Sequence, residues 1–202
     1  MLDSLMAEYP ALRSLQSRVA RMLYRSGVLA NQATIIGGIL GVTAGVLFAR
    51  EKLALGLLAL GLSGILDAVD GTLARESGAA TALGGVLDLT FDRIVEAAVL
   101  LGLIWPHSWL QLPAAVVLAT WYVNITIFMA TGAALGASEK LIHYPPGLVE
   151  RTEALIFFVL LAAAPVWSVY LCYTYAGLEV ATIVQRVSYA LRYLGVSSAK
   201  RM

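Results

Sequence analysis

Charge is what this chain of 202 residues has least of: Asp, Glu, Lys and Arg make up 13% of it, against 59% hydrophobic residues and a mean hydropathy of +0.80. Soluble domains carry about a quarter charged residues, so a water-soluble globular protein is not expected. A surplus of either sign is also missing, with 14 Lys+Arg and 13 Asp+Glu for a net charge of +1. That leaves no broad basic surface for nucleic acid. One cysteine, Cys172, and two histidines, His107 and His143, exclude a disulfide framework and a Cys/His zinc site. Any bound metal must be held by carboxylates. Nor is a secretory signal expected in residues 1–27, which lack an unbroken apolar core of about 7–15 residues and carry Arg13, Arg18, Arg21 and Arg25.

What is present is apolar periodicity and long charge-free runs. Leu12, Leu15, Val19, Met22 and Leu23 recur at helical spacing between those arginines, which predicts an amphipathic helix lying on an anionic membrane face. A spanning helix needs about 20 mostly apolar residues, and residues 28–49 supply the first. After a polar turn at Arg50, Glu51 and Lys52, residues 53–66 open a second that runs into Asp67 and Asp70. The third, from about residue 80 to Ile104, is interrupted by Asp88, Asp92, Arg93 and Glu96 and ends at an aromatic interfacial turn, Trp105-Pro106-His107-Ser108-Trp109. Residues 110–134 make a fourth, and residues 138–153 are too polar to cross. Pro165 divides residues 154–193 into a fifth and a sixth.

The expected fold is an all-α integral membrane protein with six transmembrane helices behind an N-terminal amphipathic interfacial helix. Residues 1–27 form the juxtamembrane helix, 28–194 the transmembrane catalytic domain and 195–202 a C-terminal tail. Six spans place 11 of the 14 basic residues on the side of both termini, which the positive-inside rule makes cytoplasmic. A five-span alternative, with residues 154–193 as one kinked helix, would leave four C-terminal basic residues outside.

Four aspartates stand where the second helix leaves and the third re-enters the cytoplasmic face. Asp67 and Asp70 are spaced i,i+3 and Asp88 and Asp92 i,i+4, so each pair shares a helix face and the four carboxylates can converge between antiparallel neighbours. An unpaired anion at the edge of hydrocarbon costs roughly 2.5 kcal/mol or more, which makes such a cluster a functional site by default. Only Arg75 and Arg93 are near in sequence. Hard divalent cations take oxygen ligands, and magnesium is commonly shared between carboxylates and substrate phosphates; two ions, Mg²⁺ or Mn²⁺, would balance the charge. Gly71, Ala74, Gly84 and Gly85 leave room for a planar ligand between the helices, or simply let the helices pack.

The run Asp67-Ala68-Val69-Asp70-Gly71-Thr72-Leu73-Ala74-Arg75 is followed after eight residues by Gly84-Gly85-Val86-Leu87-Asp88-Leu89-Thr90-Phe91-Asp92. It fits D-x-x-D-G-x-x-A-R-x8-G-x-x-x-D-x-x-x-D at every fixed position and resembles the signature of the CDP-alcohol phosphatidyltransferase family, whose architecture is also six spans behind an interfacial helix. The resemblance implies a phospholipid-synthesis enzyme. It would move a phosphatidyl or related lipid phosphate group from a CDP-linked lipid such as CDP-diacylglycerol to the hydroxyl of a small polar alcohol, releasing CMP. On that resemblance Asp67, Asp70 and Asp88 look like ligands of a divalent pair, and Asp92 like a ligand or the general base. Asp67, Gly71, Ala74, Arg75 and Gly84 look like the nucleotide site, joined by Asn31 and Thr34 of a short N-x-x-T element. A homodimer is implied too, with Gly132, Ala133, Ala134 and Gly136 as a surface for close helix contact. The competing class is a divalent-cation or proton-coupled transporter using the same carboxylates.

The acceptor alcohol is the open question. A phosphorylated acceptor needs cations, and Arg93, Lys140, Arg151 and Arg186 are the candidates. Family members that use inositol phosphate tend to carry arginine near the end of the fourth span; here residues 122–135 hold no arginine. Glu96 and Glu179 are further acids within spans, able to tune the acceptor pocket, to pair with Arg93 or Arg186, or to be protonated.

Overall fold

In the computed structural model, which describes residues 10–136 and 147–199, every regular element among those residues is helical. Helix α1 (Pro10–Arg25) opens on a proline, whose missing N–H is one that a helix start leaves unbonded anyway. Then come α2 (Ala30–Ala49), α3 (Leu53–Glu76), α4 (Ala82–Ile104), α5 (Gln111–Gly136), α6 (Arg151–Ala163) and α7 (Ser168–Ala199). Short 3-10 turns, Ser108–Leu110 and Pro165–Trp167, precede α5 and α7. α7 continues through residues 195–199 of the expected tail.

The first three helices end alike. Gly27, Glu51 and Gly78 adopt φ of +80°, +59° and +68°. The following amide then reaches the carbonyl five residues back: Val28 to Leu23 at 3.0 Å, Lys52 to Leu47 at 2.9 Å and Ala79 to Ala74 at 3.0 Å. These left-handed caps satisfy carbonyls that a helix end would leave bare. Glycine adopts the conformation freely, whereas Glu51 does so at about 1 kcal/mol.

Among the described residues, those up to Ser108 form one unit and those from Trp109 onward another. In the first, α2 is the axis: it packs against both α3 and α4, while α1 lies along α3. A methyl added at Gly38 would run into the ring of Phe91, at Gly41 into Val95, and at Gly45 into the backbone of Ala98; one at Gly102 of α4 would run into the carbonyl of Gly45. Gly37 faces the other way, 3.4 Å from Leu66 Cβ for such a methyl, and its carbonyl accepts a 2.7 Å hydrogen bond from Ser63 Oγ of α3. Lipid tails are as apolar as leucine, so helices in a bilayer associate through this kind of close backbone packing. Ile36, Ile39, Leu58 and Leu62 point outward and are exposed.

The apolar stripe expected on α1 divides in two. Ala20 is buried against Val69, Leu73 and Ala33, with Val19 and Leu23 beside it, while Leu15 and Met22 remain exposed. Helices α2 and α3 and the segment Ser108–Ala134 are long and apolar enough to cross a membrane; α6 and Pro165–Tyr193 qualify only as a pair, bent by 111°. The protein is an integral membrane protein. That gives three spans, or four with the bent pair as one, where the sequence predicts six; α4 falls outside the set because Asp88, Asp92, Arg93 and Glu96 interrupt it.

In the second unit α5 and α6 both pack on α7. Phe157 stacks on Tyr175 at 4.2 Å, and Trp121 meets Phe158 and Tyr175 edge-on at 5.9 Å. Glu150 at the start of α6 donates its amide to Glu153 at 3.2 Å, one half of a capping box.

Replacing Gly102 by leucine should force α2 from α4 and lower stability in detergent by about 1–3 kcal/mol, read as a fall in Tm. Leucine at Gly61, where an added Cβ meets nothing within 4 Å, should leave stability within about 0.5 kcal/mol.

Candidate active site

The last turns of α3 and the first turns of α4 carry the aspartates. Both helices rest on α2 and are not close-packed against each other, which leaves room for their carboxylates to meet. One oxygen each from Asp67, Asp70 and Asp88 comes within 4.8 Å of the others. Carboxylates that close repel by roughly 3 kcal/mol per pair even at an effective dielectric near 20. Three hard oxygen donors converging on one point fit a divalent cation.

Asp70 is only 5% exposed and is fixed from α2, where Thr34 Oγ1 donates to its Oδ2 at 2.5 Å. One turn earlier on α2, Asn31 lies against the start of α4: a Cβ on Gly84 would stand 3.2 Å from Asn31 Oδ1 and 3.3 Å from Thr81 Oγ1. Thr81 caps α4 by accepting from the Gly84 amide at 3.0 Å. Of the residues that resembled an N-x-x-T element, Thr34 bonds Asp70 and Asn31 borders Gly84.

The remaining expected residues divide. Gly71 borders open space, the nearest atom to an added Cβ being Arg75 Nη1 at 3.5 Å, and Gly85 has nothing within 4 Å. Ala74 is half-buried and Arg75 exposed, with Arg75 Nη2 donating to Thr72 Oγ1 at 3.1 Å. Asp92, one turn beyond Asp88, is not among the three converging carboxylates. Its Oδ2 lies 3.9 Å from Arg93 Nη2, and Arg93 Nη1 pairs with Glu96 at 2.8 Å.

The other basic candidates lie in the second unit. Arg151 is exposed at the first position of α6. Lys140 lies outside the described residues. Arg186 is 8% exposed and sits among buried Asn124, Glu179 and Thr182, its Nη1 donating to Asn124 Oδ1 at 2.6 Å. A cavity of about 750 Å³ in this unit is lined by Gly147, Gln185, Ser188, Tyr189 and Arg192, among others. Sequence reasoning missed the glycine face of α2 and the role of Asn124. The available signals were Gly37, Gly38, Gly41 and Gly45 at helical spacing and a lone amide in an apolar span.

A family model described as CDP-alcohol phosphatidyltransferase matches residues 27–194. The phosphatidylinositol phosphate synthase of Mycobacteroides abscessus is 34% identical over 147 residues, which cover 72% of this chain and 66% of that relative's length. The crystal structure of Mycobacterium tuberculosis phosphatidylinositol phosphate synthase with CDP-DAG bound is similar at a TM-score of 0.74 and 28% identity, covering 88% of this chain and 94% of that one. The same enzyme in complex with manganese and citrate gives 0.73 at 28% identity, over 87% and 88%. The transporter alternative finds no support in these matches.

Thr34→Val should weaken Mn²⁺ binding by about 10- to 100-fold, the usual loss when a residue supporting a metal ligand is removed. Titration of the purified protein with Mn²⁺ checks this.

Proposed function

The chain belongs to the CDP-alcohol phosphatidyltransferase family, and we propose that the phosphatidyl group it moves from CDP-diacylglycerol is delivered to a hydroxyl of inositol phosphate. The observation that carries this reading is the meeting of Asp67, Asp70 and Asp88 at one point, with Thr34 on Asp70 and Asn31 at Gly84. The names of the relatives supply the donor and the acceptor.

Asp67, Asp70 and Asp88, with Asp92 beside them, would hold divalent metal, two Mg²⁺ ions balancing four carboxylates. A metal held there would supply positive charge to the diphosphate oxygens and to the departing CMP. Asn31 and Thr34 with Asp67, Gly71, Ala74, Arg75 and Gly84 receive the cytidine diphosphate, Gly71 and Gly84 by leaving space and Arg75 by offering a planar fork to phosphate. Asp92, one turn beyond Asp88 and outside the three that meet within 4.8 Å, takes the proton of the attacking hydroxyl. The hydroxyl oxygen bonds to the lipid-side phosphorus as its bond to the CMP oxygen breaks. Arg186, with Arg151, Lys140 and Arg93 as further candidates, answers the phosphate already on the acceptor. Arg93 is the weakest of these, since Glu96 already engages it.

The topology proposed is six spans with α1 at the cytoplasmic interface, both termini and the site facing the cytoplasm. The 111° bend at Pro165 supports separate fifth and sixth passes, and the placement of 11 of 14 basic residues supports the orientation. On α1, exposed Leu15 and Met22 next to Arg18 and Arg25 suit an anionic lipid surface. A homodimer through α5 is proposed as well, where Ala133 and Ala134 are exposed beside buried Gly132.

Purified protein given CDP-diacylglycerol, Mg²⁺ and a panel of alcohols should release CMP with inositol phosphate and stop in EDTA. Asp67→Asn, Asp70→Asn or Asp88→Asn should lower turnover at least 100-fold, while Asp92→Asn should lose turnover and keep CDP-lipid binding. Turnover in EDTA, or equal turnover with inositol, overturns the reading.

Cysteines introduced singly at Ser77 and Ser108 decide the orientation, Cys172 being buried. An impermeant thiol reagent should label the first only in inside-out vesicles and the second only in right-side-out ones.

A further inference from the structure

We propose that Glu179, acting through Asn124, is a positioning residue for Arg186, and that this buried relay aims the guanidinium at the phosphate of the acceptor. The proposal rests on the reading of the acceptor as phosphorylated and adds how this chain recognises that phosphate.

All the parts lie in one unit. Glu179 and Arg186 are seven residues apart, two turns along the same face of α7, and are 2% and 8% exposed. Asn124 of α5, also buried, stands between them: its Nδ2 donates to Glu179 Oε2, and its Oδ1 accepts from Arg186 Nη1 at 2.6 Å. The amide orientation follows from chemistry. A guanidinium only donates, so the amide oxygen must face Arg186, which leaves the nitrogen to Glu179.

Two further contacts fix the guanidinium plane. Phe128, one turn beyond Asn124 on α5, places its ring centroid 4.7 Å from Arg186 Cζ. On another side runs the backbone of residues 147–149, held by the Val149 amide donating to Thr182 Oγ1 at 3.0 Å. A Cβ at Gly147 would stand 2.6 Å from Thr182 Cγ2 and 3.1 Å from Arg186 Nη2, so glycine lets the chain lie close to both. Gly147 also lines the 750 Å³ cavity, along with Gln185, Ser188, Tyr189 and Arg192. Arg186 thus lies against Gly147, a residue in the wall of a cavity whose largely apolar lining carries Gln185, Ser188 and a second arginine, Arg192.

A charged pair buried in a bilayer is expensive and is kept where it serves a site. Holding two helices together would not by itself require an arginine gripped by amide, ring and backbone. A rigid planar fork is what bidentate phosphate recognition requires.

The test is steady-state kinetics of the purified enzyme, with CDP-diacylglycerol and inositol phosphate varied separately and thermal unfolding measured alongside. Glu179→Gln and Asn124→Leu should each raise KM for inositol phosphate about tenfold, the effect of losing one hydrogen bond to a charged group. KM for CDP-diacylglycerol and kcat should stay within about twofold. Glu179→Gln added to Arg186→Lys should change little further, because the relay acts only through Arg186. Gly147→Ala, which removes no polar group and presses on the Thr182 methyl and on Arg186 Nη2, should show the same KM effect and serves if the polar variants do not fold. If Arg186→Lys raises acceptor KM and Glu179→Gln, Asn124→Leu and Gly147→Ala do not, the relay is overturned while the acceptor reading stands. If wild-type enzyme uses inositol as well as inositol phosphate, both fall.

Discussion

The close approach of α4 to α2 governs the rest of this structure. Gly38, Gly41 and Gly45 present a flat face to Phe91, Val95 and Ala98, and at Gly45 and Gly102 the two backbones touch without side chains between them. In a bilayer no hydrophobic force separates helix from lipid, so this packing and the Ser63 hydrogen bond to Gly37 are what locate α3 and α4. Because each is fixed to α2 and not to the other, their ends hold Asp67, Asp70 and Asp88 around one point. An α4 displaced by one turn, about 5.4 Å, would take Asp88 out of reach.

The same helix supplies polar support as well as position. Thr34 stands one turn before the glycine face and bonds Asp70, and Asn31, one turn earlier still, borders Gly84. Packing and chemistry thus share one element, with the glycines in the membrane core and the polar residues at its end. Three carboxylates held together in a half-buried site repel one another, and a divalent cation offsets that repulsion. Stability and function therefore pull against each other here, as is usual where charge is placed in hydrocarbon.

The second unit is organised differently. Aromatic packing of Trp121, Phe157, Phe158 and Tyr175 joins its helices, and below that cluster a chain of buried polar groups runs from Glu179 through Asn124 to Arg186. The segment leading into α6 is tied to this chain at Thr182 and pressed against it at Gly147. Each unit thus uses glycine for one purpose, to let backbone reach a place where a side chain would not fit.

The sequence by itself determined the class of protein, the helical runs and the four aspartates, because charge-free length, i,i+3 and i,i+4 spacing and a fixed motif are properties of order along the chain. It also showed Asn124, Glu179 and Arg186 as polar residues in apolar surroundings, without saying that they meet. Only the tertiary structure decided that Asp67, Asp70 and Asp88 converge within 4.8 Å, that Thr34 bonds Asp70, that Arg93 pairs with Glu96, and that one part of the α1 stripe packs on α3 while another faces outward. Those outcomes depend on which helix touches which and at what rotation. The glycines of α2 set that contact, and a glycine carries no side chain whose chemistry could announce its partner in advance.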